Sequence, residues 1–254
     1  MPFTFAHPAA VLPLRGFLWF PGLVVGSVAP DVAYYLPVPG GPGSTHSVTG
    51  LFGIDLLLGV LLLLIGVLVL APLLALSSEG WRARVTPPDL VARLRTWRAR
   101  IIAVGSLIVG AATHLAWDAV THTDGAAVRH WPVLRLSVVG PHRLYNVIGY
   151  VSSLGGLLLL GIVVLRWYRR APHGNGEHWR ALSRGIRSWV LGGIAVAAAA
   201  GSGIALADPV SQVSAYDWVR RLLVGGVQGT GLALALYVLC WHLARQFGMP
   251  RERM

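Results

Sequence analysis

GLFGIDLLLGVLLLLIGVLVLAPLLAL, residues 50–76, carries one ionisable side chain, Asp55, and is longer than the roughly 20 helical residues that cross a bilayer. Four further apolar blocks of spanning length follow, at about 101–121, 144–166, 188–207 and 219–243. The chain as a whole is 55% hydrophobic and only 12% charged, which excludes a water-soluble globule. The 31 Gly and 16 Pro are too dispersed for a collagen or a linker. The expected fold is therefore an all-α polytopic membrane protein with about five transmembrane helices. Cys240 is the single cysteine and lies in an apolar stretch, so it forms no internal disulfide and says nothing about redox compartment.

The net charge of +11 comes entirely from Arg against ten acids, which in a soluble chain would suggest nucleic acid. Its placement points elsewhere. Arg82, Arg84, Arg93, Arg95, Arg98 and Arg100 fill the connection 77–100, and a second set from Arg166 to Arg187 fills 166–187. Arg245, Arg251 and Arg253 lie in the tail. If the five blocks alternate, these segments share one side and the other side's loops receive only Arg129, Arg135 and Arg143. By the positive-inside rule the Arg-rich side, with the C-terminus, is cytoplasmic. No nucleic-acid partner is expected; membrane lipids are. The organisation reads as a metal-site membrane domain over 1–168, a cytoplasmic basic loop over 169–187, and a two-helix region with a basic tail over 188–254.

Residues 17–36 are apolar but interrupted by Pro21, Gly22, Gly26 and Pro30. Ser27-Val28-Ala29 mimics a signal-peptidase site, yet Pro30 would follow the cut and Arg15 is the only charge before it, so cleavage is not expected. The alternatives are a sixth, kinked span or a re-entrant hairpin of short helices, which is allowed where broken backbone lines a cavity.

Ionisable groups inside a span cost about 2.5–3.5 kcal/mol each on insertion scales, so a cluster of them requires a reason. His114, Asp118 and His122 fall at i, i+4 and i+8 in Thr113-His114-Leu115-Ala116-Trp117-Asp118-Ala119-Val120-Thr121-His122. They share a helical face. The first two are close enough to chelate one cation, whereas His122 lies roughly 12 Å along the axis and needs a helix end or a second metal. Asp31 and His46 flank the Pro/Gly-rich loop 37–43, which the charge-derived topology places on the same, extracytoplasmic side. His7 reads alone as an interface histidine, with Thr4 a candidate helix N-cap; if it joins the cluster, the N-terminus approaches the outer face and the hairpin is favoured. Asp55 either supports the site or pairs with an Arg. His130 and His142 are solvated loop histidines or ligands of a second metal, His173 and His178 belong to the cytoplasmic loop, and His242 is an aromatic-belt neighbour.

Taken together, Met1-Pro2-Phe3-Thr4 with His7, Gly-Ser-x-x-Pro-Asp ending at Asp31, Thr45-His46-Ser47 and the Thr113–His122 stretch resemble the bacterial membrane proteins of domain of unknown function 4184, over most of residues 1–160. That family is similar to the predicted inner-membrane metal-dependent hydrolases of the YdjM type and, more distantly, to zinc-dependent phospholipase C. The resemblance implies a multi-pass protein of the bacterial inner membrane in which Asp31, His46, His114 and Asp118 hold one metal. It also implies that His7 and His122 serve further metals. The later His and Glu that complete the phospholipase site have no His-x-x-x-Glu counterpart here.

These residues suit metal-assisted hydrolysis at the outer face, with Asp31, Asp118 and His114 as the catalytic set and zinc as the first choice of divalent metal, manganese or iron as alternatives. A phosphoester of a lipid or isoprenoid carrier is the expected substrate class. A metal or small-ion carrier would use the same side chains but would usually show internal repeats, and none is evident. A haem or quinone redox protein would pair His114 with His242, which this topology places at opposite faces. Reporter fusions after residues 90 and 175 are expected to read cytoplasmic and one after residue 213 extracytoplasmic; opposite readings reverse the orientation.

Overall fold

The computed structural model describes residues 3–174 and 179–247. His178, Arg251, Arg253, Met1 and Pro2 lie outside the described residues. Among the described residues five helices are long and apolar enough to cross a membrane: Ile54–Leu76, Trp97–Thr121, Leu144–Arg170, Arg184–Leu206 and Ala215–Gln246. They coincide with the five apolar blocks. Three of them begin about four residues before the apolar stretch, at polar caps. Thr96 Oγ1 accepts from Ala99 N–H, Ser183 Oγ from Ile186 N–H and Ser214 Oγ from Asp217 N–H. Hydropathy marks where lipid begins, whereas the cap marks where the first unpaired N–H groups find an acceptor.

Residues 17–36 form no long helix. Phe20–Gly26 is a seven-residue helix and Ala29–Tyr34 a 3-10 turn; at 1.5 Å per residue the former rises about 10 Å, a third of a hydrocarbon core. The segment is the hairpin of short helices and not a sixth span. Gly41–Thr45 and Val48–Phe52 add two more short helices before Gly53 breaks into Ile54–Leu76. Among the described residues the only strands are Ser137–Val139 and His142–Arg143, a small antiparallel ribbon in the loop after the second long helix.

The chain divides into two compact units, 1–66 with 88–171 and 67–87 with 172–254. In the first, Phe20–Gly26 lies directly on Trp97–Thr121. A Cβ on Gly26 would sit 2.2 Å from the Leu107 carbonyl oxygen, and one on Gly110 would sit 2.3 Å from the Leu23 carbonyl oxygen. Only glycine permits that approach, the small-residue packing by which helices associate in lipid. The Trp19 N–H donates to Ser106 Oγ at 3.0 Å on the same seam. The 3-10 turn Thr4–Ala9 rests on Leu144–Arg170, where the Phe3 N–H donates to Ser153 Oγ at 3.0 Å, and Trp117 Nε1 donates to Ser152 Oγ at 3.0 Å.

In the second unit Arg184–Leu206 and Ala215–Gln246 meet through the same device, with Gly201 against the Gly225 carbonyl and Gly229 against the Ala197 carbonyl. The two Arg-rich connections also touch there. The Gly174 N–H donates to the Ala83 carbonyl at 2.7 Å, and Arg84 Nη2 meets His173 Nδ1 at 3.3 Å. Gly110→Val is expected to lower thermal stability by an amount at or above the roughly 1–3 kcal/mol of ordinary overpacking, while Gly105→Ala, with nothing within 4 Å of its Cβ, is expected to be neutral; equal thermal midpoints for the two variants would contradict the packing seam.

Candidate metal centre

His114 and Asp118 project from the last turns of Trp97–Thr121 and are 0% and 6% exposed. Asp31 comes from the Ala29–Tyr34 turn and His46 caps the C-terminus of Gly41–Thr45. These four residues each offer a ligand atom, all within 4.8 Å of one another. His46 Nε2 and His114 Nε2 are 3.3 Å apart; each is 3.4 Å from Asp31 Oδ1; Asp118 Oδ2 is 3.4 Å from His46 and 3.1 Å from His114. Tetrahedral ligands at about 2.0–2.2 Å from a zinc-sized ion stand roughly 3.3–3.6 Å from each other. The donor set therefore fits one small divalent cation.

The imidazole tautomers point the same way. His114 Nδ1 lies 2.8 Å from the Ser27 carbonyl oxygen and His46 Nδ1 lies 3.1 Å from that of Pro42. A carbonyl can only accept, so each Nδ1 carries a hydrogen, and a ring that gives up its second proton turns a bare Nε2 lone pair inward. Two lone pairs and two carboxylates then face one point, an arrangement that only protons or a cation can neutralise. Backbone carbonyls in this role are the orienting partners usual for metal-binding histidines.

His7 and His122 flank the four. His7, 1% exposed, stacks on His114 with ring centroids 3.8 Å apart and reaches Asp118 Oδ1 at 3.7 Å. His122 stands just past Thr121, the last residue of the helix, with φ −96° and ψ 147°, and as the i+4 neighbour of Asp118 its Nε2 lies 3.4 Å from Asp118 Oδ2. All six sequence-identified residues thus surround Asp118 or its ligand partners. Thr4 does not cap a helix; its turn has Phe3 in the cap position without a side-chain bond, and Thr4 Oγ1 instead meets Tyr35 Oη at 3.2 Å. Asp55 is 1% exposed with both oxygens lacking a hydrogen-bond partner, and His46 and His114 are the charges that act on it. It is a neighbour of the cluster and not the partner of an Arg.

His130 and His142 are exposed and outside the cluster. His173 bonds Arg84 and His242 bonds the Leu68 carbonyl. Sequence reasoning missed Ser27 and Pro42, which act through carbonyls invisible to side-chain reading, and Tyr34, whose ring stands 5.3 Å from that of His46. The Tyr34 phenol is pushed up to about 12, first by burial and then by Asp31 and Asp118. Position was its available signal, three residues beyond Asp31 on a short turn.

Burial, and next the charge of His114, lower His7 to about 4. Burial alone would also lower His46, but Asp118 and Asp31 override it and raise the imidazole to about 9. Burial works against ionisation of Asp31 too, and the hydrogen bonds from His114 and His46 hold its carboxyl well below the usual range. Without metal, protons replace the cation. A raised His46 value stabilises the fold fully below its unfolded value of 6.5, and that contribution disappears as pH rises through about 9. Chelator-treated protein is therefore expected to lose thermal stability between pH 6.5 and 9, and saturating zinc should flatten the slope. A metal-free midpoint constant over that window would contradict a protonated His46.

No match was found among curated proteins or among solved structures. A family described as Domain of unknown function (DUF4184) matches residues 1–239, so that the match runs on past the metal cluster into the last long helix, and the chain belongs to that family.

Proposed function

We propose that this protein is a metal-dependent hydrolase of the bacterial inner membrane that acts at the extracytoplasmic face on a phosphoester of a lipid or isoprenoid carrier. The observation that carries the reading is the convergence of His46 Nε2, His114 Nε2, Asp31 Oδ1 and Asp118 Oδ2, in which each imidazole nitrogen lies 3.1–3.4 Å from the other and from both carboxylates. Zinc suits two imidazoles and two carboxylates, and manganese or iron would be accepted by the same set. A divalent cation held there would supply Lewis acidity to a phosphoryl oxygen and acidify a water.

The side chains divide the remaining work. The Ser27 and Pro42 carbonyls hold His114 and His46 in the ligating tautomer. Asp118 presents Oδ1 to His7 and Oδ2 to the other three imidazoles, so it can orient the attacking water or bridge to a second cation served by His7 and His122. His7, lowered to about 4, is neutral at pH 7 and keeps a nitrogen lone pair available to a cation. His122, with 13% of its side chain exposed, offers a more open edge through which a proton could leave.

Position supports a lipid substrate. Asp118 lies 18 residues beyond Arg100, about 27 Å along the helix at 1.5 Å per residue, so the cluster sits at the end opposite the Arg-rich connection. With that connection cytoplasmic, substrate phosphate and water would meet the cluster at the outer interface. The resemblance read in the sequence, of the ordered His, Pro-Asp, Thr-His and His-x-x-x-Asp elements to zinc-dependent phospholipase C, is the reason for choosing this substrate class.

In lipid nanodiscs, turnover of phosphatidate, a phosphodiester lipid or a polyprenyl diphosphate is expected to vanish with chelator, return with zinc or manganese, and be lost in His114→Ala. Asp118→Ala and His46→Ala each remove a ligand and should weaken metal binding by more than the roughly 10–100-fold that loss of an orienting partner costs; His173→Ala should not. Metal flux into sealed vesicles that requires His114, without hydrolysis of these phosphoesters, would replace the hydrolase with a carrier.

A further inference from the structure

The loop from Thr123 to Arg143 is a compact module joining two long helices. Val128, Leu134 and Tyr145 pack together at its base, and Thr123 Oγ1 meets Tyr145 Oη at 3.2 Å. Above that small core it exposes a run of apolar side chains that nothing in its own unit covers: Trp131 57%, Val133 53%, Leu136 58%, Val138 51% and Val139 64%. The ribbon Ser137–Val139 with His142–Arg143 is exposed along both strands. An isolated two-stranded ribbon is marginal in water, and five large apolar groups so close together mark a contact surface.

Two observations identify the occupant. Both ends of the module join helices long and apolar enough to span, Trp97–Thr121 and Leu144–Arg170, so it starts and ends at the interfacial layer. From residue 125 to 143 it also carries Arg129, Arg135 and Arg143 and no acidic residue. Arg135 is spent on the Val128 and Arg129 carbonyls, but the side chain of Arg129 is exposed and bonds no other described residue. Apolar tips with a cationic rim match the acyl and phosphate layers of one leaflet, and an indole is the side chain most at home between them.

We propose that the Thr123–Arg143 module is a lipid-embedded wedge: Trp131, Val133, Leu136, Val138 and Val139 enter the acyl boundary of the leaflet while Arg129 and Arg143 meet lipid phosphates. The wedge follows directly on His122 and would fix the depth of the metal cluster relative to the headgroups. It stands without the hydrolase reading, because neither the exposed side chains nor the Arg rim belong to the cluster.

The test uses full-length protein in nanodiscs of zwitterionic and anionic phospholipid, with Cys240→Ser to leave one labelling site at a time. Spin labels at Val133→Cys and Val139→Cys are expected to relax more with oxygen than with an aqueous nickel chelate. A label at Asp124→Cys, at a side chain 86% exposed, should show the reverse. Arg129→Gln with Arg143→Gln is expected to move the Val139 label toward the chelate. Chelate access at Val133 and Val139 equal to that at Asp124 would place the module in water and overturn the proposal. Access by neither reagent would overturn it in favour of a protein partner or a second copy. Metal content and turnover are read separately, so failure of the wedge and failure of the hydrolase are distinct results.

Discussion

The hydrogen bond from His114 Nδ1 to the Ser27 carbonyl, 2.8 Å long, governs the rest of the unit. It sets the tautomer that leaves Nε2 bare, and it exists only because the backbone of the short helix Phe20–Gly26 lies against Trp97–Thr121. That approach in turn depends on Gly26 and Gly110, where a Cβ would stand little more than 2 Å from a carbonyl oxygen. Ser106, Gly110, His114, Asp118 and His122 succeed one another at four-residue intervals. The stripe that packs the hairpin thus becomes, two turns later, the stripe that supplies donor atoms.

Placing Asp31 and Asp118 in so dry a setting is costly. A buried carboxylate without partners costs several kcal/mol even after relaxation, and neither oxygen of Asp118 makes a hydrogen bond. Four imidazoles at 3.1–3.7 Å surround it instead. Protons on His46 and its neighbours can balance the carboxylates in the metal-free state, and a divalent cation would do so with fewer mobile charges. Asp55, buried with both oxygens unbonded, adds a third carboxylate beside the same imidazoles. With a cation offsetting two negative charges, one proton would remain to be shared near Asp55, which gives this residue a reason to lie at the start of an otherwise apolar span.

The long helices were legible because lipid imposes a length and a polarity on any segment that crosses it, and 50–76 or 144–166 admits no other reading. The cluster was legible for a related reason: His114 and Asp118 are expensive in a span, so their spacing carries information. What escaped was whatever depends on backbone. His122, two turns beyond His114, reads as too distant to share its cation, yet it reaches the group through Asp118, its own i+4 neighbour. Thr4 looked like a cap because caps are read from residue type, although Tyr35, 31 positions away, takes its hydroxyl. The choice between span and hairpin for residues 17–36 could not be made from apolarity alone, since Pro21 and Pro30 are compatible with a kink or a turn.

Those prolines suggest why half of the ligand set sits on irregular chain. His114 and Asp118 share one regular helix, with His122 at its C-cap, whereas His7, Asp31 and His46 lie on turns too short to hold themselves in water. Pro21, Pro30 and Pro42 stand in the first turn of their short helices, where a fixed φ costs no hydrogen bond and reduces the freedom of the unfolded chain. The placement is also functional: Pro30 precedes Asp31, and the Pro42 carbonyl accepts from both the backbone N–H and Nδ1 of His46. Each turn is thus stiffened beside the ligand it carries. A cation shared between turns and helix would join the two halves, so that its binding energy would also be folding energy for residues 3–46; a rigid helix supplies the geometry, and the prolines limit the entropy that the cation has to offset.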